Sequence, residues 1–175
     1  MTTLVLTVIG DDRAGLVKAL ADVVTEHGGN WERSHLAELA GKFAGIVVVT
    51  VPDVGAPALR EALGPLDGLL DVTVHEGGAD EAGAGVAPGR RVRLSVLGND
   101  HPGIVQAVSG TLAELGVSVV ELESLTRDAP MAGGRLFEAQ AVVSVPDTVS
   151  LDVVARELEL LAGEVQVDVA LEPAD

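Results

Sequence analysis

The residues best placed to do chemistry form one short pattern that occurs twice. It reads Gly10-Asp11-Asp12-Arg13-Ala14-Gly15-Leu16 and, further on, Gly98-Asn99-Asp100-His101-Pro102-Gly103-Ile104. Glycine permits a tight turn and lets a ligand approach the backbone. A helix start offers N–H groups without helical partners and the positive end of a dipole, and that combination holds a carboxylate. Asp12 or Asp100, by side chain or carbonyl, can face an amino group. The pattern therefore suits a small zwitterion. The same aspartates are also good helix caps, and Pro102 suits a first helical turn. The two roles are compatible.

The pattern repeats because the chain does. Gly10, Asp12, Gly15 and Gly28 match Gly98, Asp100, Gly103 and Gly116, each pair 88 residues apart. Beyond them Phe43 matches Phe137, and Val51-Pro52-Asp53 matches Val145-Pro146-Asp147, now 94 apart. Six residues have entered the second copy between Gly116 and Phe137. A duplicated unit implies two similar small domains and two equivalent sites.

Each loop needs a strand before it and a helix after it. Residues 3–9 alternate as a strand does. Leu16, Ala19, Leu20, Val23 and Val24 fall at helical spacing, so 14–27 is expected to be an amphipathic helix, stopped by Gly28-Gly29. Strands are expected at 30–39 and 42–51 about the turn Ala40-Gly41, then a helix at 55–67 and a strand at 70–76. The second copy repeats the order: strand 91–97, helix 102–115 with Ile104, Val105, Val108, Leu112 and Leu115 inward, strands 117–127 and 135–145, helix 149–162 and strand 164–171. Strand, helix, strand, strand, helix, strand is the split βαβ order. It predicts an α+β fold of two ferredoxin-like βαββαβ domains, each a four-stranded antiparallel sheet with both helices on one face. The domains are expected at 1–76 and 90–175. Residues 77–89 hold five glycines and no periodicity and read as a flexible linker.

Composition narrows the function. The formal net charge of −16 over 175 residues repels phosphate backbones and anionic headgroups, so direct nucleic-acid and membrane binding are not expected. There is no cysteine, which excludes disulfides, thiol nucleophiles and thiolate metal sites. No apolar run approaches the roughly 18 residues of a membrane span, and the N-terminus lacks the pattern of a signal peptide. A cytoplasmic location is expected. The aromatic residues are Trp31, Phe43 and Phe137, too few to stack a series of nucleobases.

Other candidates carry less. His27, His35, His75 and His101 are too scattered for a linear metal motif. His101 matters because it lies in the second loop. Trp31 opens a strand and is better suited to packing than to a ligand. No nucleophile elbow or acid–base constellation is present. Neither a cofactor nor an enzymatic activity is expected.

At the two loops, and in the element order of both copies, the chain resembles the ACT-domain family, whose typical local signature is Gly-x-Asp-x-x-Gly-Leu/Ile. As a tandem pair it is similar to the glycine cleavage system transcriptional repressor family. The resemblance implies a regulatory protein that binds an amino acid or related ligand at interfaces between domains. Such a protein acts through a protein partner and is expected to be a homo-oligomer. By position it implies contacts from Gly10, Asp11, Asp12, Arg13, Ala14, Gly15 and Leu16, and from Gly98, Asn99, Asp100, His101, Pro102, Gly103 and Ile104. It adds the start of the second strand, Asn30 in one copy and Ser118 in the other. Some members bind nothing, so a ligand-free assembly module is the alternative.

Overall fold

A computed structural model describes residues 1–64, 66, 68–77, 89–129 and 133–174. The chain divides into two compact units. The first runs β1 (Thr2–Asp11), α1 (Leu16–Glu26), β2 (Asn30–Leu39), β3 (Lys42–Val51), α2 (Ala56–Leu63) and β4 (Asp71–Glu76). The second runs β5 (Gly89–Asn99), α3 (Ile104–Glu114), β6 (Ser118–Asp128), β7 (Arg135–Pro146), α4 (Leu151–Val165) and β8 (Val167–Pro173). The sheets have the orders β2-β3-β1-β4 and β6-β7-β5-β8, and every pairing is antiparallel. These are the two βαββαβ folds that the alternation and helical spacing predict, with both helices of each unit on one sheet face. Of the segment expected to link them, residues 78–88 lie outside those described.

Alternation decides what each sheet buries. Leu4, Leu6 and Val8 of β1 and Val47, Val49 and Val51 of β3 point at the helices and are almost fully buried. Leu20 and Val24 of α1 and Leu59 and Leu63 of α2 close the core over them. In the second unit Leu94 and Val96, Val143 and Val145, Leu112 and Leu158 do the same. Val105, expected inward, is instead 43% exposed. It follows Ile104 on α3 as the equally exposed Val17 follows Leu16 on α1, at the edge of the helix's apolar stripe.

Several boundaries differ from expectation. β1 and β5 run two residues further than alternation suggests, because Gly10 and Asp11 still pair with Phe43 and Lys42, as Gly98 and Asn99 do with Phe137 and Leu136. The helices begin later, at Leu16 and Ile104, because the preceding glycines hold a left-handed backbone. α2 stops at Leu63, short of the expected residue 67. Both β2 and β6 carry a one-residue slip at the same place, between Trp31 and Arg33 and between Val119 and Glu121. The ladder of β6 and β7 then runs one rung beyond its counterpart, ending at Asp128 opposite Arg135. Part of the turn beyond that rung, residues 130–132, lies outside those described.

Candidate functional site

The loop that reads as Gly10–Gly15 shrinks to Asp12–Gly15 once the strand has taken Gly10 and Asp11, and its counterpart shrinks to Asp100–Gly103. The Asp12 N–H donates to Gly41 O at 2.9 Å, and the Asp100 N–H to Arg135 O at 2.8 Å. Each loop is thus tied to the neighbouring hairpin in the same way.

The helix caps are not the aspartates. Gly15 (φ +93°) and Gly103 (φ +98°) occupy the N-cap positions, with no side-chain cap. Their carbonyls accept the first helical bonds, from Ala19 and Ala107, both at 2.9 Å. The capping role open to Asp12 and Asp100 is therefore not the one they play, and Pro102 precedes its helix rather than opening it. A left-handed N-cap needs glycine because an ordinary Cβ crowds the backbone there. Nothing lies within 4 Å of where a Cβ would stand at either glycine, so the constraint is conformational.

Gly10 and Gly98 are glycine for a different reason. A Cβ on Gly10 would stand 2.4 Å from Leu69 O, and one on Gly98 2.7 Å from Val167 Cγ1 and 2.9 Å from Gln166 O. The space that the sequence suggests for a ligand's approach is filled by the chain's own run into β4 and β8.

A basic residue then locks each loop to that same run. The Arg13 Nη2 donates to Gly68 O at 3.3 Å. His101, at the matching position, places Nε2 2.8 Å from Val165 O and Nδ1 3.0 Å from Pro102 O. Both partners are acceptors, so only the imidazolium, which donates from both nitrogens, serves both. The Val165 carbonyl, then that of Pro102, raise the His101 pKa above its ordinary value, and the charge of Asp100 adds a little against a small opposing effect of burial. Val165 is the last residue of α4, where a cation also meets the negative end of the helix dipole.

Beside each loop lies a polar hollow. The first, about 240 Å³, is lined by Gly10, Asp11, Arg13, Lys42, Gly68 and Asp71 among others. The second, about 430 Å³, involves Gly98, Asn99, Gln166, Val167 and Asp168. Lys42 pairs with Asp11. That hydrogen bond, with the charge of Lys42 and a smaller contribution from Arg13, holds the Asp11 carboxyl below the usual carboxylate range. The first hollow thus offers both signs of charge.

The expected site residues do not all meet. Gly10, Asp11 and Arg13 share the first hollow, and Gly98 and Asn99 the second. Asp12, Ala14, Gly15, Asp100 and Gly103 are exposed loop residues outside them. Leu16 and Ile104 are core residues. Asn30 pairs with Thr50, opposite Thr3, at the far end of the sheet from Asp11. Eight strand residues separate those ends, about 27 Å at 3.4 Å each. Ser118 stands likewise at the Arg91 end, away from Asn99. Within one unit, neither residue reaches its own loop. The Asn30 amide instead donates to Glu32 at 2.8 Å. Trp31 packs half-buried against the first core. Sequence reasoning missed Lys42, Asp71 and Asp168. For Lys42 the signal was present: a tight turn at Ala40-Gly41 sets the β3 register, and β1 runs on to meet it.

Among the described residues no three His, Asp or Glu side chains converge to hold a metal, and no helix is long and apolar enough to cross a membrane.

Known proteins give the context. A model of the ACT domain matches residues 2–76. The UPF0237 protein of Methanopyrus kandleri is 40% identical over 65 residues, covering 36% of this chain and 72% of that protein. A solved structure of an unknown protein from Galdieria sulphuraria is 31% identical with a TM-score of 0.81, covering 99% of each chain. A solved protein provisionally named glycine cleavage system transcriptional repressor has a TM-score of 0.73 over 99% of this chain and 98% of its own, at 18% identity, a likeness of fold alone. The first unit is thus an ACT domain, and with its motif and fold repeated in the second the chain carries tandem ACT-like domains.

Proposed function

We propose that this protein is a regulatory sensor of a small zwitterionic ligand, an amino acid, and transmits its state to a protein partner. The observation that carries this reading is the pair of equivalent loops. In each, a left-handed glycine opens a helix whose first N–H groups have no helical partner, beside a polar hollow. Those N–H groups suit a carboxylate, and Asp71, Asp168 or the exposed Asp12 and Asp100 suit an ammonium. Asn30 and Ser118 join such a site only where another domain brings its strand end to the loop. The net charge of −16 favours a protein partner over DNA. In this reading the protein is cytoplasmic, homo-oligomeric and not itself a catalyst.

The test is thermal stabilisation of the full chain by each of the twenty amino acids, confirmed by calorimetry. A ligand that prefers the native state raises its stability, so saturable shifts with one or a few amino acids are expected. Silence across the panel removes the sensing role.

One observation favours a second reading, a ligand-free assembly module. β2 and β6 are edge strands of ten and eleven residues, mostly exposed, and such edges invite pairing with another chain. Self-association that no amino acid changes would support it.

A further inference from the structure

Helices cover one face of each sheet, and the two open faces differ. In the first unit Val5, Thr7 and Ile9 of β1 and Ala44, Ile46 and Val48 of β3 point away from the helices, paired rung by rung. Ile9 and Ile46 are 49% and 50% exposed. At the matching positions the second unit has Arg93, Ser95 and Leu97, and Glu138, Gln140 and Val142. One open face is therefore apolar and the other charged. On the first, charge is kept to the rim. Arg33 and His35 lie on β2, and His75 and Asp71 on β4. The Lys42–Asp11 pair closes one end. Glu32, which accepts from the Thr50 hydroxyl at 2.7 Å, closes the other. An apolar centre inside a polar rim is the anatomy of a protein interface.

The face also complements itself. A twofold axis lying between two such sheets and crossing the strands at the Thr7–Ile46 rung lays each strand over its own copy and reverses the order of rungs. Ile46 then meets the partner's Ile46 at the centre. Val48 lies over the partner's Ala44, large on small, and Val5 over the partner's Ile9. On the rim His75 lies over the partner's Asp71, and the Glu32–Thr50 end over the partner's Lys42. The other axis in that plane, along the strands, would instead lay Arg33 over the partner's His75. Four strands and five rungs give a face of about 19 Å by 27 Å, or about 500 Å² per copy. Two copies bury about 1,000 Å², the least that a specific interface needs.

We propose that two chains pair through the open sheet faces of their first units, about this axis. The proposal rests on the homo-oligomeric part of the reading above, adds the face and the symmetry, and requires no ligand. The second unit's face is unsuited to the same use, because Arg93, Glu138 and Gln140 would lose water at its centre.

Sedimentation velocity of the full chain over a wide concentration range tests it. A dimer is expected. Ile46→Glu sets two carboxylates against each other at the axis and should weaken the dimer by about a hundredfold or more, with unchanged circular dichroism. Gln140→Glu, at the matching position of the second unit, should leave it intact. The chain has no cysteine, so Ile46→Cys and Gln140→Cys add a second measurement that does not depend on the Glu variant folding. Oxidation should join two chains through the first and not through the second. A monomeric parent, a dimer that Ile46→Glu leaves unchanged, or equal cross-linking of both cysteine variants overturns the proposal. The sensing role is judged separately, by the amino-acid panel, and stands or falls with that.

Discussion

His101 Nε2 lies 2.8 Å from the backbone oxygen of Val165. The contact spans 64 residues and joins the loop before α3 to the end of α4. Arg13 makes the corresponding contact with Gly68 O. One unit is locked by a charge that never titrates, the other by one that does.

That difference has a pH signature. A histidine pKa raised in the folded state stabilises fully below the unfolded value of about 6.5, and the stabilisation is lost as pH rises through the higher folded value. NMR titration is expected to place the His101 imidazole above the ordinary value. His101→Gln should lower the melting temperature at pH 5.5 and change it little at pH 8.5. His101→Arg should flatten the dependence. A mutant effect equal at both pH values would show that the imidazolium does not hold the loop.

Asp11, paired with Lys42, titrates in the opposite sense. A carboxyl held below its usual range stabilises above the unfolded pKa, and that contribution is lost as pH falls through the folded one. Lys42→Ala is expected to return the Asp11 pKa toward the ordinary carboxylate value. Both groups are exposed, so added salt should weaken the pairing in the parent chain. A carbon-detected titration of Asp11 that is identical in both proteins would remove Lys42 as the cause.

The glycines of the loop should respond to substitution in two distinct ways. Gly15→Val is expected to cost about 1–2 kcal/mol or more from backbone strain alone, and Gly15→Asn less, because asparagine tolerates the left-handed region. At Gly10 the obstacle is Leu69 O, so Asn should be no better than Val. Urea melts of the four variants decide it. A gentle Gly10→Asn would mean that the run into β4 yields easily.

Leu59 is fully buried beneath β1 and β3. Leu59→Ala is expected to destabilise the first unit by about 2–5 kcal/mol, measured by denaturant melts with Trp31 fluorescence as the probe. A loss under about 1 kcal/mol would mean that the core closes over the gap.

The fold was legible because alternation in Leu4–Ile9 and helical spacing in Leu16–Val24 are local, and the repeat stated each signal twice. The contents of the site were less so. Nothing local tells that Gly10 is glycine for Leu69 while Gly15 is glycine for its own backbone; that depends on a segment more than fifty residues away. Nor does proximity in a motif place side chains together: Asn30 belongs to the same family pattern as Asp12 but sits at the other end of the sheet.

The matched slips in β2 and β6 constrain how this gene can vary in length. Past each slip the strand's faces are exchanged, which keeps Arg33 opposite Val48 and Glu121 opposite Val142, away from the helices. Pairing Glu32 or Val120 into the ladder would turn a charge inward and Leu36 or Leu122 to the other face, whereas losing that residue would leave the later pairs as they are. A codon gained past the slip should be ruinous and one lost at it tolerable, whereas the hairpin beyond differs by six residues between the two copies. Insertions are thus expected to collect at that tip and to spare the strands leading to it.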